Sequence, residues 1–165
     1  MHRKIVVMGV TSTGKSLIAA GLAEHLGGRF VEGDDLHPQS NVDKMAAGQP
    51  LTDEDRWPWL DRVGQAMLGE GIIVVACSAL RRAYRDRIRA VAGPVTFVHL
   101  TGPREVIEER MGRRKGHFMP VSLLDSQLET LEPPGEDEDA VTLDLTLPPD
   151  DLLAQAVERL GFSSR

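Results

Sequence analysis

Apolar and polar positions alternate in blocks along the whole chain. Short runs rich in Val, Ile and Leu at 4–8, 29–32, 72–77, 95–100 and 141–145 read as strands. The run at 72–77, Ile-Ile-Val-Val-Ala-Cys, is apolar without interruption, as a strand covered on both faces requires. Between the strands, apolar residues recur at three and four positions, the helical spacing. Helices are predicted over 17–26, over about 40–47, and from the Thr52-Asp53-Glu54-Asp55 cap through Trp57, Trp59, Leu60, Val63, Met67 and Leu68. A basic helix follows Ser78-Ala79-Leu80 and ends near Val91 or Ala92; others start at Gly102-Pro103, span 121–131, and run from Pro148-Pro149-Asp150 to about Leu160.

Gly48 and Pro50 stop the short helix, Gly93-Pro94 stops the basic one, and Pro58 is expected in a first turn, where its missing N–H costs nothing. This order predicts an α/β fold: a five-stranded parallel sheet in a three-layer αβα sandwich, with helices on both faces. Two stretches break the pattern. Residues 113–120, Arg-Arg-Lys-Gly-His-Phe-Met-Pro, lack apolar periodicity and are expected to form a mobile lid, about 113–122, over the carboxyl edge of the sheet. Pro133-Pro134-Gly135 and the four acids Glu136 to Asp139 read as a solvated linker.

Composition narrows the picture. At 165 residues the chain is one domain, 1–165, without repeats or low-complexity tracts. A net charge of −6 argues against nucleic acid or an anionic membrane as partner. The charge is uneven, though. Arg81, Arg82, Arg85, Arg87 and Arg89 form one basic group, and Arg110, Arg113, Arg114 and Lys115 another. Local basic clusters on an acidic protein suit a small anionic ligand. Cys77 is the only cysteine, so no intrachain disulfide forms; it reads as a small buried residue rather than a nucleophile. The pattern reads as lacking an apolar leader or membrane span, and a cytoplasmic location is expected.

The chemistry starts at Gly9-Val10-Thr11-Ser12-Thr13-Gly14-Lys15-Ser16, a G-x-x-x-x-G-K-S stretch between a strand and a helix. That context aims backbone N–H groups and a helix N-terminus at a polyphosphate. Lys15 is placed to reach the β/γ-phosphates and Ser16 to ligate Mg²⁺. The second strand ends in Gly33-Asp34-Asp35-Leu36-His37-Pro38, at the carboxyl edge where α/β sheets bind ligands. Asp34 is the candidate to hold Mg²⁺ through water or to accept the acceptor hydroxyl's proton; Asp35 is a weaker one, and His37 is a candidate hydrogen-bonding partner of a polyol or carboxylate. Arg81 and Arg85, four apart, are expected on one helix face beside Arg56 to clamp a carboxylate. Arg82, Arg87 and Arg89 read as a solvated basic face. Arg110, Arg114 and Lys115 are candidates to stack on adenine and neutralise phosphoryl charge. No guanine-reading Asn-Lys-x-Asp stretch is present, which counts against a GTPase, and a small-molecule kinase with a closing lid fits the length.

These residues resemble those of the gluconokinases, small P-loop kinases that phosphorylate D-gluconate at its 6-hydroxyl with ATP. The likeness is carried by Gly14-Lys15-Ser16, Gly33-Asp34-Asp35-Leu36-His37-Pro38, Cys77-Ser78-Ala79-Leu80-Arg81, Lys115-Gly116-His117-Phe118 and Ser126-Gln127-Leu128-Glu129, and it extends from residue 5 to about 160. The resemblance implies that Gly9, Thr11, Ser12, Thr13, Gly14, Lys15 and Ser16, with Arg110 and Arg114 of the lid, bind ATP. It places Asp34 near Mg²⁺ and the gluconate hydroxyl, and His37, Arg56, Arg81 and Arg85 around gluconate. It further implies a fold like that of shikimate and adenylate kinases, and often a homodimer. Ser12 stands where the family loop usually has glycine, and Leu17 where it has Thr. If the loop tip needs positive φ, Ser12 is mildly strained. Two alternatives are a kinase of the same fold for another anion, such as shikimate, and a nucleotide-binding regulator without turnover. Ser78-Ala79-Leu80 counts against the first, because shikimate kinases carry a glycine triplet there; Lys15, Ser16 and Asp34 together count against the second.

Overall fold

The structure, a computed structural model, describes residues 3–112 and 121–161. Five strands, β1 (Arg3–Met8), β2 (Arg29–Glu32), β3 (Ile72–Ala76), β4 (Thr96–Thr101) and β5 (Ala140–Asp144), form one sheet in the order β2-β3-β1-β4-β5. Every pairing is parallel, as expected for strands separated by helices. The helices are α1 (Lys15–Leu26), α2 (Gln39–Ala46), α3 (Asp53–Ala66), α4 (Arg82–Ala92), α5 (Arg104–Gly112), α6 (Val121–Thr130) and α7 (Pro149–Arg159). Of the expected lid, residues 113–120 lie outside the described residues, and 121–122 open α6.

Strand periodicity divides the core in two. Ile5, Val7, Val74, Ala76, Val98 and Leu100 face α1 and α7, against Ile18, Leu22, Leu152 and Val157. Val6, Met8, Ile73, Val75 and Phe97 face α3 and α4, against Leu60, Val63, Tyr84 and Ile88. A third cluster of Val10, Leu80, Ile107, Met111, Leu124 and Leu145 lies under the carboxyl edge and supports the segments that emerge there. Because every strand runs the same way, all five carboxyl ends open on that edge.

Helix α3 begins on a reciprocal capping box. The Thr52 hydroxyl accepts from the Asp55 N–H (3.2 Å), and the Asp55 carboxylate accepts from the Thr52 N–H (2.9 Å). Pro58 falls in the second turn of this helix rather than the first, where it removes the helical partner of the Glu54 carbonyl. Cys77 is buried, and burial pushes its thiol up to about 12.

Glu136, Asp137 and Asp139 are exposed as expected of a solvated stretch, and so are Arg82 and Arg87, but Glu138 is buried and the arginines of α4 are ion-paired rather than free. Glu138 is buried and takes both Nε (2.7 Å) and Nη2 (3.1 Å) of Arg85. Arg89 also donates to Glu138, the Gly135 N–H caps its second oxygen (2.9 Å), and Asp137 takes a fork from Arg82 (2.9 and 2.6 Å). Arg87 pairs with Asp61 (2.7 Å) on α3. Opposite charges about fifty residues apart in sequence thus neutralise each other as the 131–139 segment crosses α4. The Arg85 and Glu138 side chains are 0% and 1% exposed, so neither charge is screened by water.

Burial opposes ionisation of Glu138, but its bonds from Arg85, Gly135 and Arg89 outweigh that and hold its carboxyl at about 2. A carboxyl lowered from its ordinary value contributes stability that is complete above about pH 4.5 and is lost as pH falls toward 2. Glu138→Gln leaves the buried Arg85 charge without a counter-ion and is expected to cost about 3 kcal/mol at pH 7. Urea unfolding across pH 2–7 should give a lower and flatter stability curve for the variant. Equal stability at pH 7 would show that the pair adds nothing.

Candidate active site

The loop after β1 turns sharply over the sheet edge. At Gly9, φ is 150°, and an added Cβ would lie 2.7 Å from the Leu100 carbonyl oxygen, so a side chain there would collide with β4. Ser12 has φ 62°, in the left-handed region where the sequence anticipated strain for a residue other than glycine. The Thr13 hydroxyl (2.9 Å) and the Lys15 ammonium (2.8 Å) both donate to the Val10 carbonyl, which curls the loop back on itself. Helix α1 starts behind Gly14 with no side-chain cap, so no capping side chain competes for the N–H groups of its first turn. The Thr11 N–H donates to Gln127 Oε1 of α6 (2.6 Å). The Ser16 hydroxyl donates to the Glu32 carboxylate at the end of β2.

Beyond Glu32 the chain passes so close to β3 that a Cβ on Gly33 would lie 2.2 Å from the Ala76 carbonyl oxygen. Glycine therefore launches the 3₁₀ turn Gly33–Leu36, which leaves Asp34 and Asp35 exposed on the edge. Trp59 of α3 holds this turn by donating its indole N–H to the Gly33 carbonyl (2.8 Å). His37 stacks on Trp59 with ring centroids 4.2 Å apart and planes 15° from parallel. Burial holds the His37 imidazole below its ordinary pKa; the charge of Asp34 opposes this, and that of Arg56 adds to it. The ring is accordingly neutral at pH 7. Asn41, whose amide donates to the Asp55 carbonyl (2.9 Å), places the same Nδ2 at 3.1 Å from His37 Nδ1. If Asn41 donates there, Nδ1 is the acceptor and Nε2 carries the proton, aimed away from Asn41.

Arg56 and Arg81 come together on Asp53 and Tyr84. Each guanidinium has an Nη1 at 3.5 Å from an Asp53 carboxylate oxygen. Arg56 also donates to the Tyr84 hydroxyl (3.1 Å), which donates to Asp53 (2.5 Å). Both guanidiniums lie over the Tyr84 ring, at 5.4 and 6.0 Å from its centroid. Arg85 does not join them. Arg81 is the N-cap of α4, with an extended backbone (φ −103°), so the two do not share a helix face. Arg85 points into the protein, where it binds Glu138 and donates to the Ala79 (2.9 Å) and Leu80 (3.3 Å) carbonyls.

On the other side of the loop, Arg110 donates to the Leu145 carbonyl (2.7 Å) and borders a cleft of about 220 Å³. Thr13, Gly14, Leu17, Leu147 and Pro149 complete its rim, which accounts for Leu17 being exposed. Arg114 and Lys115 lie outside the described residues. A larger cleft, about 450 Å³, sits at the opposite end of the sheet around Gly28, Gly69 and Gly71, away from these groups. Among the described residues no cluster of three His, Cys, Asp or Glu side chains could cage a metal. The hydroxyl of Ser16 beside the carboxylate of Glu32 is nevertheless a hard oxygen pair, the donor set that suits Mg²⁺ when phosphates and water supply the other ligands.

The sequence pattern assigns no role to Glu32, Asp53, Tyr84 or Gln127. Glu32 had a usable signal: it is the carboxyl-terminal residue of a strand, one step before the glycine that turns the chain. Asp53 read as part of a helix cap, Tyr84 as part of a basic helix, and Gln127 depends on a contact 116 positions away.

Residues 5–134 match the model of the family described as AAA domain. The chain is 48% identical over 160 residues to the gluconokinase of Gluconobacter oxydans (strain 621H), covering 94% of this chain and 89% of that one. A crystal structure of a gluconokinase from Sinorhizobium meliloti 1021 superposes with a TM-score of 0.87 at 46% identity, over 99% of this chain and 98% of that one. An unliganded sugar kinase from Janibacter sp. HTCC2649 gives a TM-score of 0.92 at 46% identity, over 99% and 97%. With its phosphate loop and parallel sheet, and with this similarity over nearly its whole length, the chain belongs to the gluconokinase family of P-loop kinases.

Proposed function

We propose that this protein transfers the γ-phosphoryl group of ATP to the 6-hydroxyl of D-gluconate. The observation that supports this reading best is the Arg56–Arg81 pair over Tyr84, at the same sheet edge as the phosphate loop. Two guanidiniums suit one carboxylate, and a carboxylate distinguishes an aldonic acid from a neutral sugar.

Loop residues Gly9 and Thr11 to Ser16 cradle the ATP phosphates, with Lys15 moving from the Val10 carbonyl onto the β/γ-phosphates. The adenine lies in the cleft between Leu17 and Pro149, beside Arg110, and Arg114 is carried over to the ATP site by the family resemblance alone. Ser16 and Glu32 hold Mg²⁺, with Asp34 close by as an outer partner. That ion, when bound, neutralises charge on the phosphate oxygens. Asp34 orients the 6-hydroxyl and accepts its proton, and the neutral His37 donates from Nε2 to a gluconate hydroxyl. Asp34 is exposed on the turn that Trp59 and Gly33 hold, so it is carried on a fixed backbone. Asp53 keeps Arg56 and Arg81 aimed before substrate arrives. The homodimer implied by the family resemblance belongs to the same proposal and is read by light scattering. No helix among the described residues is long and apolar enough to cross a membrane.

A coupled assay of ADP release with gluconate, glucose, shikimate and AMP tests the reaction. Turnover is expected with gluconate, and its absence would falsify the reading. Arg56→Ala and Arg81→Ala should each raise the gluconate KM by about 10- to 100-fold, the size of a charged hydrogen bond, with the ATP KM unchanged. Equal increases in both KM values would place the two arginines elsewhere in the mechanism.

A further inference from the structure

The turn between β3 and α4 has a backbone that its residues do not favour. Ala79 is fully buried with φ 44°, in the left-handed region that residues with a Cβ rarely occupy. It is followed by Leu80 and then Arg81, so the direction in which Arg81 leaves the sheet edge is set by how this turn is held. Ser78 is tied to the phosphate loop through the Gly9 N–H (3.3 Å), and Leu80 to the segment after α6 through the Glu132 N–H (2.7 Å). The Ala79 carbonyl, which the left-handed residue turns inward, accepts Nη1 of Arg85 at 2.9 Å, and the same nitrogen reaches the Leu80 carbonyl at 3.3 Å.

Arg85 divides its donors. Nε and Nη2 are fixed on Glu138, which is itself held by Arg89 and the Gly135 N–H, and this leaves Nη1 rigidly aimed at the turn. We infer that Arg85 is a positioning residue for substrate: through the Ala79 and Leu80 carbonyls it holds the left-handed turn that aims Arg81 at the acid-binding side of the site. It touches no substrate. Only a planar fork can serve Glu138 and the turn together; a lysine ammonium at the end of a flexible stem can satisfy one or the other.

The inference rests on the proposed gluconate reaction, and wild-type turnover is measured first. If the wild type does not phosphorylate gluconate, the functional reading fails and the variants are not needed to show it. Given turnover, Arg85→Lys should raise the gluconate KM about tenfold and leave the ATP KM within twofold. Ala79→Gly alone is the reference background for the double variant, because glycine adopts positive φ without strain. The double variant A79G/R85K should recover the gluconate KM to within about threefold of wild type, since a turn that is no longer strained needs less holding. A merely structural ion pair would not be rescued by a glycine in a neighbouring turn. If Arg85→Lys does not fold, R85Q/E138Q replaces it; that pair removes both buried charges and shortens the donor at 85, and the same KM split and the same rescue by Ala79→Gly are expected. An unchanged gluconate KM in a folded variant, parallel rises in both KM values, or no rescue by Ala79→Gly would each overturn the inference.

Discussion

A guanidinium with no exposed surface must be neutralised where it stands, and much of the active edge is arranged around that requirement. Arg85 lies inside the protein because α4 packs against β1, β3 and β4 through Tyr84 and Ile88, and the position between them on the helix faces the same way. Its counter-charge comes from Glu138, in the segment that leads into β5. The pair therefore joins the start of α4, the turn after β3 and the approach to the last strand. Losing either partner would leave a charge in a medium that cannot solvate it. The turn carrying Ser78 to Arg81 inherits its position from this pair as much as from the sheet.

The phosphate side of the site obeys a different constraint, backbone proximity. Gly9 and Gly33 both stand where a Cβ would strike a carbonyl of a neighbouring strand, Leu100 in one case and Ala76 in the other. These two close approaches bring the first loop and the acidic turn onto the same edge, and the Ser16–Glu32 hydrogen bond joins them. Strain at Ser12 is confined to the loop tip, where the hydrogen bonds of Val10 and Gln127 surround it. Backbone geometry thus positions the phosphate half of the edge, and ion pairing positions the arginine half.

That division also explains what was legible in the sequence. The five strands, the alternating helices and the phosphate loop follow from local pattern, because burial of one strand face or one helix stripe is written at short spacing. The Thr52 capping box was equally local. Glu138 and Arg89 are hidden for the same reason: each looks solvated alone, and the partner that neutralises Glu138 lies about fifty residues away. Arg81 and Arg85 looked like one helix face because their spacing is four, but the helix begins only after Arg81. Spacing arguments fail at a helix end, where the first residue still has extended backbone. Tyr84 was hidden because nothing local distinguishes a tyrosine whose ring faces a core from one whose hydroxyl reaches a charge cluster; this one does both.

Asp53 links the two arginines to Tyr84. Two guanidiniums over one aromatic ring repel each other, and in the absence of an anion they would spread apart in water. Asp53 sits at 3.5 Å from both, too far for the short, linear bonds that would saturate them, while the Tyr84 hydroxyl takes its closest contact. Burial and the bond to Asp53 both raise the Tyr84 pKa, so the phenol remains a donor and keeps Asp53 partly occupied. The result is a pair of arginines held close enough to receive an acid together, with donors still available to it. On the proposed reading a neutral sugar gains nothing from this pair, because it brings no charge to complete a site whose own carboxylate is already shared. Selectivity for an acid then comes from an incompletely neutralised cluster, and the rigidity of that cluster goes back to the turn after β3 and to the buried charge beneath it.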